Sequence, residues 1–204
     1  MTHPPQHLLG GLTVAILVTD GFEQEEMTGP RTVLETSGII IRILSDKRGQ
    51  VQAHHQGLKG DLFDVDATFD RVQADEFDGV LLPGGEVNAS RIRNNAAAQQ
   101  LVRQIDQQGK PIAVICHAPW LLIAAGLVPG RKMTSWPTLQ QEIENAGATW
   151  ADQEVVVDRN WVSSRKPEDI SAFNSAFIGI LGRRTRQSVR GTSDDVPNAA
   201  GAGG

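Results

Sequence analysis

The sequence predicts an α/β protein: an open, mostly parallel sheet with helices on both faces. Two observations carry this. Strand-like and helix-like segments alternate along most of the chain, the order that wraps helices around a parallel sheet. The strand segments are also near-continuous aliphatic runs rather than alternating ones, the mark of strands covered on both sides. At 204 residues the chain suits one domain with a full core and is short for two.

The first strand is LTVAILV at residues 12–18, ended by the turn signal Asp20-Gly21. Residues 25–37 read as a helix stopped by Gly38, with Pro30 near its first turn or kinking it. IIIRIL at 39–44 is the second strand, and the polar, Gly-rich stretch 46–66 is a hairpin excursion. GVLLPGG at 79–85 gives a third strand running into a glycine loop. Ala98, Leu101, Val102 and Ile105 then fall at helical spacing ahead of Gly109. PIAVIC at 111–116 is the fourth strand, leading into the helical pattern WLLIAAGL. A short helix over 137–147 and two β-rich pieces, 154–157 and 161–163, follow. Pro167 opens a last helix, with Glu168 and Asp169 in the first turn and a stripe of Ile170, Phe173, Phe177, Ile180 and Leu181. Residues 1–10 read as a flexible leader, 11–182 as the single domain, and 183–204 as a disordered, solvated tail.

The bulk numbers exclude several classes of function. A formal net charge of -5 argues against nucleic-acid binding, which needs clustered Lys and Arg. No apolar run reaches the ~20 residues of a membrane span, and the N-terminus lacks a signal-peptide pattern. A single cysteine cannot form an internal disulfide, which fits a reducing, cytoplasmic setting, and it removes thiolate metal clusters. Neither a phosphate loop nor a dinucleotide fingerprint is present, so no cofactor and no metal are expected.

In open α/β sheets chemistry gathers at the carboxyl ends of the strands. Residues 20–26, 83–85 and 116–117 are delivered there. Cys116 sits at a sharp strand-to-helix turn, where a side chain is held up and exposed as in a nucleophile elbow. The following helix aims backbone N–H groups at it, which should lower a thiol pKa from its free value of about 8.5. The alternative is a buried cysteine serving as a small hydrophobe. Glu26, read from the residues alone, is a solvated carboxylate at a helix start, and Gly84-Gly85 can be a plain turn.

PIAVICHAPW nevertheless resembles the ThiJ/PfpI family, in its PfpI-like branch, within the class I glutamine amidotransferase-like superfamily. The matching pieces are TDGFEQEEMTGP, LLPGG, AVICHAPWLL, GLVPGRKMTSWPTL, NAGATWADQEVVVDRNWVSSRKPED and FNSAFIGIL, in family order over about residues 11–182. The resemblance implies a flavodoxin-like sheet with the nucleophile elbow at Cys116. It makes Glu26 the acidic residue that contacts the cysteine, and assigns the oxyanion hole to the backbone of Gly85 and His117. His117 is the implied acid or base; Glu23, Gly84, Ser90, Trp120 and Trp136 are possible pocket residues. His3 and His7 lie in the leader, and His54 and His55 in the hairpin, where surface roles are expected.

Two positions depart from the family pattern. Ala118 stands where Gly is usual after Cys-His, so its methyl could narrow the pocket or shift the turn. Ser90 stands where an acid, donated across a subunit boundary, usually orients the histidine. A serine cannot stabilise an imidazolium as a carboxylate does; Glu86 is a nearby replacement. The resemblance thus implies a stress-response, cysteine-dependent enzyme acting on reactive carbonyls or glycated groups, in the manner of a glyoxalase or deglycase. Peptide hydrolysis by an intracellular cysteine protease ranks lower because it depends on orienting His117. A non-enzymatic redox sensor or chaperone is the third reading. The expected partners are a small electrophilic carbonyl, a glycated protein or a peptide, and further copies of the chain as a homo-oligomer.

Overall fold

The computed structural model describes residues 9–193, with side chains through Arg184. The chain begins with β1 (Thr13–Leu17), β2 (Phe22–Glu23), α1 (Gln24–Thr36) and β3 (Ile40–Ser45). The hairpin β4 (Gln50–His55) and β5 (Leu58–Asp64) follows, then β6 (Ala67–Thr68), β7 (Gly79–Leu82), α2 (Glu86–Ile92) and α3 (Ala96–Gln107). Next come β8 (Ile112–Ile115), α4 (Pro119–Ala124), β9 (Lys132–Met133), α5 (Gln140–Asn145) and β10 (Thr149–Trp150). The chain closes with β11 (Val155–Asp158), β12 (Trp161–Ser164) and α6 (Ile170–Ser193).

The central sheet has seven strands in the order β11-β12-β8-β7-β1-β3-β6. Every pairing in it is parallel except that of β11 with β12 at one edge. All four residues of β7 and all four of β8 are buried, as their unbroken aliphatic sequences require. Successive side chains divide between the two faces. Val14, Ile16, Leu81, Ala113 and Ile115 pack under α1 and α6, against Met27, Leu34, Phe173 and Phe177. Ala15, Leu17, Val80, Leu82, Ile112 and Val114 pack under α3 and α4, against Leu101, Val102, Ile105, Leu121 and Leu122.

Beneath α3 a polar knot ties the far end of the sheet. Arg131, 6% exposed, lies 4.1 Å over the Trp161 ring and donates to Asp106 at 2.7 Å. Asp106 also accepts from Trp161 Nε1 at 2.7 Å and Asn160 Nδ2 at 3.0 Å, so the buried charges have partners on every side.

The structure departs from the sequence expectations at the ends. Leu9 is 1% exposed and belongs to the core, so the expected leader is anchored at that residue; residues 1–8 lie outside those described, His3 and His7 with them. Helix α6 passes through Gly182 and continues to Ser193. A glycine inside a helix costs only about 1 kcal/mol, which a neighbouring run of Arg and Gln can tolerate. The expected disordered tail is therefore helical over 183–193, and 194–204 fall outside the described residues. Pro30 sits well inside α1. Having no N–H, it leaves the carbonyl of Glu26, four residues earlier, without its helical donor.

Candidate active site

β3 extends the sheet to one side of β1 and β7 to the other. The order in which strands are added thus reverses between β1 and β7, and a crevice opens outside the carboxyl ends of the strands there. The segments following β1, β7, β8 and β12 meet around it.

Cys116, the residue after β8, has φ +62°, a left-handed conformation costly for a side chain with a Cβ. Two backbone hydrogen bonds hold the turn: Cys116 N–H donates to Ser164 O at 3.1 Å, and Trp136 N–H donates to Cys116 O at 3.0 Å. The cysteine is 7% exposed. The Ala118 methyl is buried in the core beneath α4 and is not part of the cavity wall, so the substitution at that position narrows nothing.

Gly84 is where the parts converge. A Cβ there would lie 2.6 Å from Glu26 Oε2, 2.7 Å from Cys116 Cβ and 3.0 Å from His117 N, so only glycine lets the three approach. Gly85 has φ +85°, and a Cβ would meet Gly21 O at 2.5 Å. Asn88, fully buried on α2, pins the same loop. Its Nδ2 donates to the carbonyls of Pro83 and Gly84, both at 3.0 Å, and its Oδ1 accepts from Thr19 N–H at 2.7 Å.

Glu26 is a core residue, 0% exposed, rather than the solvated helix-start carboxylate its sequence context suggests. Its Oε2 accepts from Gly84 N–H at 2.7 Å. Its Oε1 is buried with no hydrogen-bond partner, and the carboxyl stands close enough to the thiol for each group to move the other's proton affinity. Burial pushes the Glu26 carboxyl up to about 8, against the opposing pull of the Gly84 N–H. Burial also pushes the Cys116 thiol up, reinforced by negative charge on Glu26 and opposed by the N–H groups of Gly85 and His117. The expected lowering of the thiol pKa is thus reversed, with burial the leading cause. With Glu26 protonated the repulsion vanishes, and the two N–H groups act against burial alone.

His117 Nδ1 lies 3.2 Å from Cys116 Sγ. Burial pulls the imidazole pKa down, and the charge of Glu86 pulls it back up. The ring stacks on Trp136 at 5.8 Å and tilts against Trp120 at 5.4 Å. Trp136 lines the cavity. Trp120 backs the histidine instead: its Nε1 donates to Glu142 at 2.6 Å, with Arg93 over its ring. Ser90 is exposed on α2 and is not among the cavity residues, whereas Glu86 is.

The cavity measures about 620 Å³. Glu23, Glu26, Gly85, Cys116, His117 and Trp136 line it, joined by four residues that the sequence reading did not single out for the site: Glu25, Gln56, Pro167 and Glu168. Pro167 and Glu168 follow a parallel strand, so the strand-end rule that located Cys116 would have found them. Gln56 carried no such signal, being the tip of the β4–β5 hairpin. There, with φ 51°, its N–H meets the Glu23 carboxylate at 3.3 Å. His55 lies 3.6 Å from Glu25. Among the described residues no group of three or more His, Cys, Asp or Glu is placed to hold a metal ion, and no helix is long and apolar enough to cross a membrane.

A flavodoxin-like sheet with a cysteine elbow at its switch point, faced by a buried carboxyl, defines a class of proteins. The chain belongs to the DJ-1/PfpI family, whose profile matches residues 12–179. It is 42% identical over 83% of its length to a deglycase of Thermococcus kodakarensis, 99% of which is matched. It is 41% identical, over 83% of its length and 99% of the relative, to the deglycase PfpI of Pyrococcus furiosus. Among solved structures it is similar to a two-domain protein of Anabaena variabilis with DJ-1/ThiJ/PfpI-like and ferritin-like domains. That match has a TM-score of 0.79 and 31% identity, covering 84% of this chain and 48% of the other.

Proposed function

We propose that the chain is a cysteine-dependent deglycase or glyoxalase, acting on small reactive carbonyls or their adducts through Cys116. The observation that carries this is the pairing of the only cysteine with a fully buried carboxyl that keeps its proton up to a pH of about 8. The names of the archaeal relatives support the same reading.

In this reading the cavity starts neutral at its floor. As Cys116 Sγ attacks the aldehyde carbon, its proton passes to His117 Nδ1, 3.2 Å away. The new C–S bond leaves an alkoxide, which the N–H groups of Gly85 and His117 stabilise. The Glu86 charge favours the imidazolium. Glu26 gives its proton to the alkoxide, making the hemithioacetal and leaving a carboxylate. That carboxylate takes the proton from the former aldehyde carbon and returns it to the adjacent carbon, converting the hemithioacetal to a thioester. Water hydrolyses the thioester, releasing lactate from methylglyoxal and returning the thiol. A hemiaminal adduct enters the sequence by collapsing first: its hydroxyl gives up a proton as the C–N bond breaks, the amine leaves with a proton, and Cys116 attacks the carbonyl so formed. A cytoplasmic setting and a homo-oligomer belong to the same proposal.

The test is methylglyoxal consumption with lactate release. The chain should show both, and Cys116→Ala should abolish both. Activity surviving in Cys116→Ala overturns the proposal.

A further inference from the structure

We propose that a pocket at the other end of the sheet from Cys116 binds a small phosphate-bearing anion, inorganic phosphate or a phosphomonoester, between Arg159, Arg183 and Arg184. It shares no residue with the cysteine cavity and does not rest on the carbonyl reading above.

The pocket, about 270 Å³, forms where three stretches meet: Gly109 and Pro111 ahead of β8, the Arg159-Asn160 turn ahead of β12, and α6 at Ile180, Arg183 and Arg184. Cys116 follows β8, so the length of that strand separates the two sites. No Asp or Glu is among the described residues that line the pocket, although the whole chain carries a net charge of -5. Arg184 is anchored at the rim through Nη1, which donates to Gln108 O at 3.2 Å and Gly109 O at 3.1 Å. Arg159 Nη2 donates to Gly130 O at 3.3 Å. Asp158, 3.4 Å from Arg159, is shared with Arg131 at 3.8 Å, and so answers neither charge in full. Arg183 has no hydrogen bond or ion pair among the described residues.

A second observation is independent of the lining. Burial pulls the Lys110 pKa down against Asp75 and Asp78, and the Arg184 charge adds to that fall. Burial likewise pulls the Arg131 pKa down against Asp106 and Asp158, and the Arg159 charge adds to it. Two arginines of the pocket thus press on cations behind it, a repulsion that a bound anion relieves. Guanidinium groups grip phosphate oxygens in bidentate pairs, and a concave wall of one charge sign concentrates ligands of the other. Arg183 and Arg184 lie past the family match, which ends at residue 179, so the family profile does not describe this pocket.

Calorimetry on the full chain tests the site with inorganic phosphate, methyl phosphate, dimethyl phosphate and a short oligothymidylate. Phosphate and methyl phosphate should each saturate one site per chain. Dimethyl phosphate, with a single charge, should bind several-fold more weakly. Arg159→Gln combined with Arg183→Gln should weaken methyl phosphate about tenfold or more, the loss expected for charge-assisted hydrogen bonds. Arg183→Gln alone should weaken it in the same direction, and it removes no contact among the described residues that the fold could need. Arg71→Gln, at an exposed arginine outside the pocket, and Cys116→Ala should each leave the affinity unchanged. No saturable phosphate binding, equal affinity in the arginine variants and wild type, loss of binding in Cys116→Ala, or oligothymidylate binding tighter than methyl phosphate overturns the inference.

Discussion

Replacing Glu26 by Gln should change how stability depends on pH. In the unfolded chain a glutamate titrates near 4.5, and in the folded protein this one titrates at about 8. Between those values the folded state holds a proton that the unfolded state has released, so stability falls as pH rises across the window. The full shift is 8 less 4.5, or about 3.5 units, which at 1.36 kcal/mol per unit is on the order of 5 kcal/mol at and above pH 8. Within the window the slope is about 1.4 kcal/mol per pH unit, so some 3 kcal/mol goes between pH 5 and 7.5. Glutamine cannot ionise, keeps an oxygen for the Gly84 N–H, and removes this slope alone. Urea unfolding of both proteins at half-unit pH steps measures the difference directly. Wild type should lose stability relative to Glu26→Gln as pH rises, with the gap flattening above pH 8. Parallel curves for the two proteins would refute a buried, protonated Glu26, and with it the proposed pairing with Cys116.

Other expectations follow from the same geometry. Gly84→Ala places a methyl among three atoms at 2.6, 2.7 and 3.0 Å; it should cost about 1–3 kcal/mol in urea unfolding and displace Cys116 enough to cut kcat/KM for methylglyoxal at least about tenfold. Glu86→Gln removes the charge that raises the His117 pKa, so the acid limb of the pH–rate profile should move to lower pH; an unmoved limb would remove Glu86 from the mechanism. Arg131→Ala strands Asp106 in a largely buried site and should lower stability by about 3–5 kcal/mol, read as a drop in Tm.

The sheet was legible because its strands are buried on both faces, and such burial writes itself as unbroken aliphatic runs such as AILV and IAVI. The elbow was legible from Cys116 standing where one such run meets a helical pattern. Glu26 was not. A carboxyl in a polar helix start looks solvated until the tertiary packing of α1 against the glycine loop buries it, and only the family resemblance pointed inward. Helix α2 was missed because VNASRI is short and mixes Asn and Ser into its turns; its Asn88 points into the core to satisfy carbonyls of a loop, a task no local pattern records. The two-residue strands β9 and β10 carry too few residues to show a period. Ser90 stands exposed on α2, outside the cavity of its own chain.

The hydrogen bond from Cys116 N–H to Ser164 O ties the elbow to a strand that emerges from the ribosome much later. Glu26 and Gly85 are synthesised before the cysteine, but β12 and the Pro167 turn come after it. A nascent chain arrested before Ser164 lacks the clasp that holds the elbow, the strand that flanks β8 and one wall of the cavity. Its thiol has neither the turn geometry nor the burial that set the proton affinity of Cys116 in the finished fold. The setting of Cys116 is therefore a property of the finished chain, and truncation from the C-terminal side removes it long before reaching the cysteine.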